Sequence, residues 1–131
     1  MRYIGNPQAA FFEGYLGKGP VLPWVLGQYV DEQTLTDAAT ILWDFPSQQA
    51  AKVTLGGNRT LGSITNPKVG AWMSLRVING ASWTLAYHAN YDWGVAGAPV
   101  ITTGAGKFDV ISIYIATATK FVASIVKGYG P

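Results

Sequence analysis

Residues 108–126 constrain the fold of this chain more than any other stretch. Two apolar runs, Phe-Asp-Val-Ile-Ser-Ile-Tyr-Ile and Phe-Val-Ala-Ser-Ile-Val, flank a short polar link. Both runs are rich in β-branched and aromatic residues, which fit a pleated, packed surface. Alternation puts Asp109, Ile111, Ile113 and Ile115 on one face of the first run, and Phe108, Val110, Ser112 and Tyr114 on the other. Neither face is polar. Such a strand belongs in the middle of a sandwich, or between a sandwich and a partner subunit. The link at 117–120 lets the chain return antiparallel. The alternative is a buried helical hairpin, which the β-branched content and the strand-length runs disfavour.

Short strands are expected before this hairpin. Residues 40–45 form one, stopped by Pro46, and 51–55 another, with Val53 and Leu55 on one face. Extended structure resumes at Thr60 and Leu61, and 100–103 form a further short strand. Gly56, Gly57, Asn58 and Arg59 predict a turn, because Gly and Asn accept positive φ. Asn58 supports that turn through its side chain, and Arg59 pairs with a carboxylate of its own chain or of a neighbour. Residues 66–70 predict a second turn, with Pro67 fixing φ early in it. Residues 71–87 predict a hairpin. A three-residue loop at 79–81 pairs Val77 with Trp83, Leu75 with Leu85 and Met73 with Tyr87, on one face. A two-residue turn would split the apolar sets between faces. The expectation is an all-β chain: a single antiparallel β-sandwich or jelly-roll-like domain over 28–131.

Residues 1–27 differ. Glycines and prolines interrupt any long ladder. Yet Tyr3, Phe11, Phe12, Tyr15 and Trp24 are more rings than a free tail carries. We read an irregular arm whose rings plug into its own sandwich or into a neighbouring molecule.

Composition excludes several functions. Charged residues make up 12% and aromatics 13%, which suits a folded protein with much of its surface covered. The net charge is +2 and the nine basic residues are spread out, so nucleic acid is not an expected partner. No apolar run reaches membrane-span length, and Arg2 is not followed by the apolar core of a secretory signal. Without cysteine there is no disulfide framework, thiolate metal site or cysteine nucleophile.

His88 is the only histidine. Asp92 lies four residues on, but no nucleophile elbow is present, and His88 reads as a surface loop residue. Together they fall short of the roughly three or four ligands that a transition metal wants. Asp31, Glu32 and Asp37 read as a solvated loop rather than a calcium site. No enzyme activity, cofactor or metal is expected. The aromatic loop with Tyr87, His88, Tyr91 and Trp93 is the one place for recognition, since such rings stack on sugar faces. The reading preferred here is that Tyr91 and Trp93 cap the end of the sandwich.

Six stretches carry a resemblance. They are Thr54-Leu55-Gly56-Gly57-Asn58-Arg59-Thr60-Leu61, Asn66-Pro67-Lys68-Val69-Gly70, Leu75-Arg76-Val77-Ile78, Trp83-Thr84-Leu85-Ala86-Tyr87, Tyr91-Asp92-Trp93 and Asp109-Val110-Ile111-Ser112. In this order, across residues 35–129, they resemble a β-sandwich domain of tailed-bacteriophage virion proteins. That domain recurs in tail fibres, receptor-binding proteins and small head or neck decoration proteins. The loop after Ile78 is shorter than usual, and 116–119 replace a glycine-containing turn. The resemblance implies a homotrimer in the virion that acts structurally, with the major capsid protein or another virion protein as partner. The expected function is capsid decoration or cementing, through the N-terminal arm and oligomer contacts. The alternative is a tail-fibre or receptor-binding module that recognises a host-surface glycan.

Overall fold

The computed structural model describes residues 31–131. The arm residues Tyr3, Phe11, Phe12, Tyr15 and Trp24 lie outside them. The described strands are β1 (Gln33–Thr34), β2 (Thr40–Asp44), β3 (Ala50–Leu55), β4 (Arg59–Thr65), β5 (Trp72–Asn79), β6 (Leu85–Tyr87), β7 (Tyr91–Asp92), β8 (Phe108–Thr117) and β9 (Lys120–Tyr129). A 3-10 turn, Gly94–Ala96, follows β7. The all-β expectation is met.

Two sheets form. One has six strands in the order β1-β3-β5-β8-β9-β7, and the other has three, β2-β4-β6. From β1 to β6 the chain alternates between them, and each strand from β3 onward pairs in parallel with the strand two places earlier. The path is a two-sided coil. Parallel neighbours need a crossover connection, and here each crossover runs through a strand of the opposite sheet instead of a helix. Beyond the coil, β8 and β9 extend the larger sheet antiparallel from β5, and β7 lies parallel on the far edge of β9.

This corrects the expected antiparallel sandwich or jelly-roll order, because among the described residues only β5–β8 and β8–β9 pair antiparallel. Alternating burial has the same period in both kinds of pair, so it fixes faces and not partners. The predicted hairpin at 71–87 does not form, because β5 and β6 lie in different sheets. Residues 100–103 form no strand; the Thr102 amide donates to the Asp109 carboxylate at 2.7 Å. The hairpin at 108–126 forms as predicted, closing with Thr117 opposite Lys120.

Inward residues of both sheets gather in one hydrophobic cluster, including Ile41, Trp43, Leu61, Leu75, Ile113 and Phe121. Each such side chain contributes about 1.5–3 kcal/mol on burial.

The corners are tied from turn to turn. The Asp37 carboxylate, after β1, accepts Arg59 Nε at 2.8 Å, Arg59 Nη2 at 3.0 Å and the Gly56 amide at 3.0 Å. Asn58 Oδ1 accepts the Thr84 amide at 3.0 Å, one coil turn further on. Arg59 therefore pairs with a carboxylate of its own chain. The expected positive φ at Gly56, Gly57 and Asn58 is absent; Asn66, at φ 50°, is the described non-glycine residue that adopts it. The glycines supply room instead. A Cβ on Gly57 would stand 2.5 Å from Arg59 Nη1, and one on Gly56 would stand 2.9 Å from Asp37 Oδ2.

These ties predict acid sensitivity. The Arg59 guanidinium, helped by the Gly56 amide, holds the Asp37 carboxyl below its ordinary 3.8. Arg76 does the same for Glu32, ordinarily 4.5. A carboxyl whose folded-state pKa is depressed stabilises the fold above its unfolded value, and that stability is lost as pH falls through the folded value. The thermal midpoint should therefore drop as pH falls below 3.8–4.5, and Asp37→Asn should show a shallower drop. Equal slopes in thermal melts of the two proteins would refute the assignment.

Candidate functional site

The sequence-predicted aromatic loop gathers at one end of the larger sheet. β7 is only two residues long, and alternation sends them opposite ways. Tyr91 points inward and is buried; its hydroxyl donates to the Gly62 carbonyl at 2.7 Å and its ring meets Phe121 edge-on at 5.5 Å. Asp92 points outward. Its carboxylate accepts the Gly94 amide at 2.9 Å and pairs with Lys120 Nζ at 3.0 Å. Those contacts, the Gly94 amide first and then Lys120, hold Asp92 below the usual carboxylate range.

Trp93 is half-buried, with its ring centroid 4.7 Å from that of Tyr87. The Tyr87 hydroxyl donates to the Pro99 carbonyl at 3.1 Å. Burial pushes both phenols well above their usual range, and the Asp109 carboxylate adds to the shift at Tyr87. Both tyrosines therefore stay protonated at neutral pH and serve as donors. Trp93 Nε1 is a buried donor with no protein acceptor.

Tyr91, Asp92 and Trp93, but not Tyr87 or His88, line an open groove of about 650 Å³. Asn90, Asp92 and Trp93 form one side, and Thr117, Thr119 and Lys120 of the β8–β9 turn form the other. The volume falls within the roughly 300–1,000 Å³ of small-molecule sites. An aromatic ring, an amide, two hydroxyls and an ion pair give the groove both apolar and polar groups.

His88 is exposed, and its Nδ1 accepts the Asn90 amide at 3.0 Å, so the imidazole shapes the turn. Glu32 and Asp37, read from sequence as loop carboxylates, are each held by an arginine. Among the described residues no three His, Cys, Asp or Glu side chains gather as metal ligands, and no helix is long and apolar enough to cross a membrane.

Sequence reasoning found Tyr87, Tyr91 and Trp93 but missed Thr117, Thr119 and Lys120. The parallel β7–β9 pairing brings these together, with Tyr91 opposite Phe121 and Asp92 opposite Val122. The available signal was Lys120, a charge placed between two apolar runs.

No family model, curated protein or solved structure matches the chain. The phage-virion resemblance therefore rests on the order of the sequence motifs.

Proposed function

We propose that this chain is a structural protein of a tailed-bacteriophage virion, a capsid decoration or cement protein without enzymatic activity. In this reading the two sheets face each other as a sandwich, which the shared hydrophobic cluster supports. Copies assemble as a homotrimer, and the arm at 1–27 attaches it to the major capsid protein or another virion protein. The observation that carries the reading is the outer face of β5, β8 and β9, which presents large apolar side chains such as Trp72, Val122 and Val126 to solvent. A free-standing protein rarely leaves such a face uncovered. Deleting residues 1–27 should abolish particle attachment while circular dichroism still shows the β domain. Particles fully occupied by the truncated protein would refute the arm's role.

The groove beside Trp93 favours a second reading, a receptor-binding module for a host-surface glycan. On a glycan array the full chain should then bind, and Trp93→Ala should weaken binding at least about tenfold, a typical hot-spot loss. Trp93 packs against the core, so Thr119→Arg, on the exposed turn, provides an independent block. No binding on a broad array would eliminate this reading.

A further inference from the structure

We infer that Asn79–Gly80 is a self-modification site: the folded corner holds it closed, and opening of that corner lets Asn79 deamidate irreversibly. The chemistry needs only water as co-reactant and is independent of where the protein works.

Sequence singles out this pair. Asn79 is the asparagine that precedes a glycine; Asn6 and Asn66 precede proline, and Asn58 and Asn90 precede Arg59 and Tyr91. Proline has no N–H to give up, and large side chains crowd the attack, whereas glycine leaves its nitrogen unhindered. In an open chain the Gly80 nitrogen loses its proton and attacks Asn79 Cγ. The new N–C bond closes a cyclic imide, and the side-chain nitrogen leaves as ammonia. Water then opens the imide at either carbonyl, leaving an aspartate or its β-linked isomer.

The fold blocks the first step. Ring closure requires the peptide plane between Asn79 and Gly80 to rotate until the Gly80 nitrogen faces Cγ. Both ends of that plane are pinned: the Asn79 carbonyl accepts the Gly106 amide at 2.9 Å, and the Gly80 N–H donates to the Leu55 carbonyl at 3.1 Å. The second bond also keeps the proton on the attacking nitrogen. The carboxamide is held from both sides, Oδ1 by the amides of Ala81 and Trp83, and Nδ2 by the carbonyls of Trp83 and Thr102. Asn79 is 1% exposed, which keeps out the water that the later step consumes.

The product does not fit the corner it came from. Deamidation replaces Nδ2, a donor, with a carboxylate oxygen aimed at the same two carbonyls. A buried charge without a donor is costly. The buried Asp109 carboxylate already holds the Thr102 amide at 2.7 Å, so Thr102 would lie between like charges. The β-linked isomer adds a carbon to the backbone at the end of β5. Each opening of the corner therefore carries a chance of permanent loss, and the lifetime of the fold becomes a matter of rate.

The test is mass-spectrometric peptide mapping of the full-length chain, incubated in mildly alkaline buffer with and without guanidinium chloride. Unfolded, Asn79 should deamidate faster than Asn58 and Asn90. Folded, its rate should drop at least about tenfold, because reaction then proceeds only through the open fraction. Deamidated protein should refold to a lower thermal midpoint than untreated protein refolded beside it. Asn79→Asp, the product made directly, should share that lower midpoint or fail to fold. Equal rates at Asn79 in both buffers, or no reaction there in the unfolded chain, would overturn the assignment. Deamidated protein that regains the untreated midpoint would overturn the irreversibility.

Discussion

Asn79→Ala should lower the unfolding free energy by about 3 kcal/mol, since a buried polar group left without its partner costs about 1–3 kcal/mol. Asn79 is 1% exposed and sits where β5 leaves the larger sheet. Its side-chain Oδ1 accepts the amides of Ala81 and Trp83, each at 3.1 Å. Its Nδ2 donates to the carbonyls of Trp83 at 2.9 Å and Thr102 at 3.1 Å. The backbone of Asn79 is bonded as well, to Lys107 and Gly106. One amide side chain therefore fixes the β5–β6 corner and the loop that leads into β8. Alanine leaves two donors and two acceptors of that corner without their partner. Urea denaturation measures the change; a loss under about 0.5 kcal/mol, typical of surface substitutions, would contradict it.

Trp43→Ala should cost about 4 kcal/mol, within the range of roughly 3–5 kcal/mol for removing a large buried aromatic. Trp43 has no exposed surface, and it brings β2 of the smaller sheet into the shared core. Its Nε1 also donates to the Gln48 carbonyl at 2.7 Å, tying the β2–β3 corner. The variant loses transfer free energy, leaves a cavity between strands from both sheets and orphans that carbonyl. Trp43→Phe keeps most of the volume and should lose markedly less. Equal losses in the two variants would show that the ring does not fill the core as described.

The legible part of this fold is its pattern of faces. Alternation groups Ile111, Ile113 and Ile115 on one face of β8, but with both faces apolar it does not say which one turns inward; the polar link at 117–120 announces the reversal between β8 and β9. Partner choice was not legible. Period-two alternation is shared by parallel and antiparallel strands, so the chain's movement from sheet to sheet left no local mark. Asn79-Gly80 is a strong hairpin signal. Here the same asparagine is spent on a buried corner, and Trp83 follows it out of the sheet. Gly56 and Gly57 were read for their backbone freedom, when the requirement was space beside Asp37 and Arg59. Half of the groove was legible, because Tyr91 and Trp93 advertise an aromatic end cap. Thr117, Thr119 and Lys120 carry no motif and reach the groove only through tertiary pairing.

Cryo-electron microscopy of a virion that carries this protein tests the proposed function most directly. Several copies of the two-sheet coil should stand on the particle, with the β5–β8–β9 faces covered and residues 1–27 engaged with the shell. Particles without the chain, or single copies with Trp72 and Val126 facing solvent, would contradict it.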